Sequence, residues 1–177
     1  MKPDVMHSEE ASKWQWLRWL WISVFVVAFD LSTKYYFNST FQYGETRIVT
    51  PFFNWVLVYN PGAAFSFLAD AGGWQREFFI GLTLVITGVL LWMLKTNPSN
   101  RLLSVALVLV IGGAMGNLFD RIVHGHVIDF IQLHAGGYYW PAFNVADSAI
   151  CVGAVLLVWD AFRQPKGAEP GEQAAKS

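Results

Sequence analysis

Residues 102–122 form a run of 21 in which polar side chains are scarce until its last third. As a helix at ~1.5 Å per residue it would reach ~31 Å, about one bilayer core. No other feature constrains the fold as tightly. Backbone inside hydrocarbon must satisfy its own polar groups, and only helices and closed barrels do so. Three further runs share this character, at residues 16–37, 78–94 and 143–162. The chain therefore reads as a membrane protein with four transmembrane helices. Its balance agrees: 54% of the 177 residues are apolar and 14% are charged, too apolar for an ordinary soluble domain.

The rest of the chain arranges itself around these spans. Residues 1–13 read as a polar N-terminal tail, 14–163 as the membrane domain, and 164–177 as a polar tail expected to be disordered. Trp14, Trp16, Trp19 and Trp21, with Lys13 and Arg18, look like an interfacial anchor. The first run is followed by Asp30, Lys34 and aromatics rather than by a small-residue cleavage site, so no cleavable leader is expected. Residues 38–73 form the longest segment outside the spans. Pieces at 47–50 and 53–59, rich in Val and aromatics and punctuated by Pro51 and Pro61-Gly62, predict a small extracytoplasmic β-sheet. Residues 60–70 predict a turn and an interfacial helix, together a strap lying on the membrane. Residues 124–139 read as a loop or a partly embedded segment. Lys2, Lys13, Arg18, Lys95, Arg101, Arg163, Lys166 and Lys176 fall in the termini and the short turn between the second and third spans. Lys34, Arg47, Arg76 and Arg121 fall on the other side, so the termini are expected to be cytoplasmic. The net charge of −1 gives nucleic acid nothing to bind.

Polar residues gather at one end of this bundle. Asn117, Asp120 and Arg121 are spaced i, i+3 and i+4 and share a helix face, where Arg121 could hold Asp120. Asn144 and Asp147 share a face at the start of the last span. Asp30 and Lys34 stand one turn apart on the first, either as a surface ion pair or as a brace for a site. Asp129 lies in VIDF, apolar on both sides. Ionised carboxylates at membrane depth are costly. Arg121 and Lys34 are too few to neutralise Asp30, Asp120, Asp129 and Asp147. At least one carboxylate should then lie close to another and be partly protonated, as in aspartic proteases. A capped, ion-paired helix end and a proton-relay or transport site are the other readings. Zinc chemistry fits worse: HExxH is absent, and His7, His124, His126 and His134 lack acidic partners at ligand spacing. The single cysteine, Cys151, excludes an internal disulfide and reads as a packing residue.

Five blocks, in order, resemble bacterial lipoprotein signal peptidase (signal peptidase II). They are FDLSTK with Asp30 and Lys34, YNPGAAFSFL with Asn60, GGAMGNLFDR with Asn117 to Arg121, GHVIDF with Asp129, and FNVADS with Asn144 and Asp147. Pro61 departs from the pattern, where the family often carries Thr. The resemblance implies a four-helix aspartyl endopeptidase of the bacterial inner membrane, working at the periplasmic face without metal or organic cofactor. Its substrate would be a prolipoprotein, cut before a cysteine already carrying diacylglycerol. Asp129 and Asp147 would form the catalytic pair. Asn60, Asn117, Arg121 and Asn144 would line the site, with Asp30 and Lys34 as structure. Asp120, beside Arg121, is the rival for the second acid and reads as a salt-bridged structural carboxylate. Membrane lipids are the expected surroundings and a monomer the expected state.

Overall fold

The computed structural model of the chain describes residues 14–62 and 74–163. The expected tails at 1–13 and 164–177, and all of the strap beyond Gly62, lie outside the described residues. A 3-10 turn, Gln15–Trp19, leads into α1, Leu20–Thr40. Strands β1 (Thr46–Thr50) and β2 (Phe53–Asn60) follow, then α2 (Gln75–Thr96) and α3 (Arg101–Val123). The chain continues through β3 (Val127–Ala135) and β4 (Tyr138–Tyr139) into α4, Val145–Arg163. Among the described residues, four helices are long and apolar enough to cross a membrane.

Helix α3 is the hub. Its most apolar stretch is 61% buried, against 17% in each of the other three. Helices α1, α2 and α4 all pack on it. Small residues permit this. A Cβ on Gly112 would press into Ser23 and Val26 of α1, and one on Gly113 into the Ala146 carbonyl of α4. Ser23 Oγ donates to the Val108 carbonyl at 2.7 Å, a polar tie between α1 and α3 in a setting without competing water. Outward faces carry Val24, Phe25, Val85, Val89, Val155 and Trp159, all exposed, as lipid-facing positions should be. Cys151 joins them, so it is a surface residue of the bundle and not a packing residue.

At the C-terminal end of α3 sits a four-stranded antiparallel sheet in the order β1-β2-β3-β4. Strands β1 and β2 stand where the sequence predicts them. Residues 124–139, expected as a loop or an embedded segment, instead supply β3, whose pairing with β2 runs from Phe53↔Leu133 to Asn60↔Val127. The reason is burial: Val127, Ile128 and Phe130 are each 2% exposed, and Ile128 and Phe130 pack in a cluster with Phe37, Phe41 and Leu57. Phe130 stacks on Phe37 with ring centroids 4.4 Å apart. Residues just before α4 are zipped onto the same strand. Phe143 N–H donates to the Ile131 carbonyl at 2.9 Å, and the Phe143 carbonyl accepts from Ile131 N–H at 2.9 Å. β3 is therefore tied at once to the sheet, to α1 and to the start of α4.

Candidate active site

Asn144 is the residue immediately before α4. Its side-chain oxygen accepts from Asp147 N–H at 2.9 Å, and Asp147 Oδ2 accepts from Asn144 N–H at 3.2 Å. This reciprocal capping box satisfies free donors at the helix start. It also fixes Asp147 at the mouth of α4. The Asn144 Nδ2 group reaches the other way, donating to Asp129 Oδ1 at 2.7 Å. One residue therefore holds both carboxylates, Asp147 through its backbone and Asp129 through its amide.

Asp129 comes from β3, where it pairs with Val58. Asn60, two residues on along β2, lies diagonally across the ladder on the same face. Its Nδ2 donates to Asp129 Oδ2 at 3.1 Å. Asp129 is 2% exposed. Burial, first, and the nearby Asp147 charge, second, push its carboxyl up to about 7; the amides of Asn60 and Asn144 pull the other way.

Beneath the two acids lies a charged layer centred on Lys34, 1% exposed. Its Nζ contacts Asp30 Oδ2 at 2.7 Å, Asp120 Oδ2 at 2.9 Å and Asn117 Oδ1 at 2.9 Å. An ammonium has three donors, and these use them. With its oxygen held by Lys34, the Asn117 amide is oriented so that Nδ2 donates to Asp147 Oδ1 at 2.7 Å. Asp30 Oδ1 accepts from Ala146 N–H at 2.8 Å, and Asp120 Oδ2 from Ile128 N–H at 3.1 Å. Asp30 thus caps α4 from α1, and Asp120 anchors the start of β3. Asp30 and Lys34 are both fully buried, which excludes the surface ion pair.

Asp120 is a salt-bridged structural carboxylate, but its partner is Lys34, with His124 Nδ1 at 3.6 Å, and not Arg121. Among the described residues Arg121 forms no direct ion pair. Its guanidinium lies 5.1 Å from the Phe79 ring centroid and Nη1 donates to the Asn117 carbonyl at 3.3 Å. Lys34 is already committed to Asp30, and the long Arg121 side chain turns away over the aromatic ring. The sequence placed Arg76 on this side of the membrane but gave neither it nor Phe79 a part in the site. Arg76 donates to the carbonyls of Arg121 and Ile122, at 2.8 Å each, closing the end of α3 from α2. Phe79 also packs against Gly62, which has φ +109° and where a Cβ would collide with the ring. The only sequence hint was that both residues open the second apolar run. His126 packs at a tilt against Tyr59, ring centroids 4.2 Å apart, and burial lowers its pKa. Among the described residues no cluster of three or more His, Cys, Asp and Glu could hold a metal ion.

The profile of the family described as Signal peptidase (SPase) II matches residues 22–163. The chain belongs to the signal peptidase II family. Its relatives include a lipoprotein signal peptidase of Burkholderia mallei, 53% identical over 150 residues, covering 85% of this chain and 90% of that protein. Another, from Ralstonia nicotianae, is 53% identical over 146 residues, covering 82% and 84%. Two solved structures, each described as a bacterial membrane enzyme structure by the in meso method, share the fold. The one at 1.9 Å has a TM-score of 0.75 and 34% identity over 84% of this chain and 94% of that one. The one at 2.3 Å has 0.74 and 33%, over 86% and 94%. Membership of signal peptidase II makes this multi-pass membrane protein a peptidase of the aspartic type.

Proposed function

We propose that this chain removes the signal peptide from prolipoproteins, cutting before a diacylglyceryl-modified cysteine with water activated between Asp129 and Asp147. The observation that carries the assignment of the pair is Asn144, which binds both carboxylates at once. Asp30 and Asp120, the other two acids, are consumed by Lys34 and by backbone donors.

Near neutral pH the pair shares one proton. The ionised partner accepts a proton from water as the water oxygen attacks the scissile carbonyl carbon. The protonated partner gives its proton to the carbonyl oxygen. When the tetrahedral intermediate collapses, the C–N bond breaks, the protonated acid gives its proton to the leaving cysteine amine, and the ionised acid takes a hydroxyl proton as the C=O bond re-forms, so the pair again holds one proton. The products are a signal peptide with a new carboxyl terminus and a lipoprotein with a free amino-terminal cysteine. Asn117, Asn144 and Asn60 hold the acids in register. Arg121, free of any direct ion pair among the described residues, is the cation available to a substrate carbonyl.

The location fits this substrate. A lipidated signal peptide is itself a membrane helix with acyl chains, and its scissile bond lies near the bilayer surface. The acids stand at one end of α3, where the bundle meets the sheet. Lys95 and Arg101 stand at the opposite ends of α2 and α3. By the positive-inside rule the acids face the periplasm and the termini the cytoplasm of a bacterial inner membrane. A transporter or proton relay would carry acids near the midplane. The test is cleavage of a diacylglyceryl-modified prolipoprotein by the purified protein in detergent. The unmodified precursor should be a far poorer substrate; equal cleavage of both would remove the lipid from the reading.

A further inference from the structure

The end of the bundle opposite the carboxylates holds a cavity of about 370 Å³, lined by Arg18, Trp19, Trp21 and Arg101. That is within the ~300–1,000 Å³ of small-molecule sites. Arg101 opens α3, and the acids stand at the other end of its 23 residues, ~34 Å away at helical rise. The cavity shares no residue with the candidate active site.

Two guanidiniums border one space. Among the described residues neither forms an ion pair. Arg18 lies 5.4 Å from the centroid of the Trp19 ring. Asp160, the acid brought to this end, is turned to Asn100, whose Nδ2 donates to both carboxylate oxygens at 3.1 Å. Like charges on one cavity repel, and an anion between them relieves the repulsion. Arg101 is also the first residue of a long helix, where the macrodipole favours negative charge. The remaining walls are indoles. Trp21 is 65% exposed and Trp14, beside the cavity in sequence, 64%. Exposed indoles of this kind sit at the level of lipid headgroups. The charge demands an anion, and the aromatic rim places that anion in a bilayer surface rather than in bulk water.

We propose that this cavity binds the phosphate of an anionic phospholipid headgroup, with Arg18 and Arg101 on the phosphate and Trp19 and Trp21 against the glycerol and upper acyl chain. Zwitterionic lipid carries the same phosphate with its own cation beside it, so it competes poorly. The lipid occupies the leaflet opposite the proposed site of cleavage.

Native mass spectrometry of the full-length protein tests this, with phosphatidylglycerol or phosphatidylcholine titrated into the detergent. Wild type should hold one phosphatidylglycerol in preference to phosphatidylcholine. Arg18→Gln with Arg101→Gln should weaken that binding by roughly thirtyfold, since each basic residue near the surface contributes a several-fold factor. Arg18→Lys with Arg101→Lys should keep most of it and controls for folding. Phosphatidylglycerol should raise the melting temperature of wild type and of the lysine variant, and not of the glutamine variant. Equal retention of both lipids, undiminished binding by the glutamine variant, or displacement of the lipid by millimolar inorganic phosphate would each overturn the proposal.

Discussion

Lys34 answers for three acceptors on two helices: Asp30 on its own α1, and Asp120 and Asn117 on α3. Remove its charge and two buried carboxylates lose their counter-ion. Breaking a buried pair by removing one partner costs about 3–5 kcal/mol. Lys34→Met should accordingly melt well below wild type in a detergent thermal scan; an unchanged midpoint would mean that the buried layer does not depend on it. Asp129 is held against its own chemistry. Its carboxyl is pushed up to about 7, so the folded protein favours the protonated form more than the unfolded chain does. The sign follows: stability is greatest at low pH and falls as pH rises from the ordinary carboxylate range through about 7. A shift of this size corresponds to roughly 4 kcal/mol. Asp129→Asn does not titrate, so it should be more stable than wild type at pH 8, with the gap closing toward pH 5. A constant gap across that range would show that Asp129 is ionised at all these pH values.

At the scale of elements, the site depends on how closely α1 and α3 approach. A Cβ on Gly116 would lie 2.5 Å from Asp30 Oδ2, inside the layer that Lys34 holds together. Gly81, in the second turn of α2, has nothing within 4 Å of such a Cβ. Gly116→Ala should cost about 1–3 kcal/mol through overpacking. Gly81→Ala should be neutral or stabilise, by up to ~1 kcal/mol of helix propensity. Thermal midpoints of the two variants check this, and matching midpoints would count against the packing argument. β3 was the element the sequence concealed. VIDF is apolar on both sides of Asp129 and lacks period-two alternation, because Val127, Ile128, Asp129 and Phe130 are all buried. Its partner strand lies some seventy residues earlier, beyond the reach of any local pattern. The hairpin of β1 and β2, by contrast, was readable from its own residues and turn. The parts of Arg76 and Phe79 in the site stayed hidden for a related reason: their contacts are with the far end of α3 and with Gly62.

The whole molecule is a polar end on an apolar bundle. Span lengths and hydrophobicity made the four helices readable, since a bilayer leaves an apolar run of that length few alternatives. The site was readable as a set of residues because each acid is out of place at membrane depth. Who pairs with whom was not. Arg121 neighbours Asp120 in sequence, yet Lys34 from another helix takes the acid. Neither could the sequence show that Asn144 turns its backbone to one acid and its amide to the other. The central claim is that Asp129 and Asp147 act as one unit. Its most direct test is the initial rate of cleavage of a diacylglyceryl-modified prolipoprotein by purified wild type, Asp129→Asn and Asp147→Asn, each with a thermal melt as folding control. General acid–base groups contribute ~10²–10⁴-fold, so each folded variant should lose at least about a hundredfold in rate. A folded variant of either residue that turns over substrate near the wild-type rate would contradict the account.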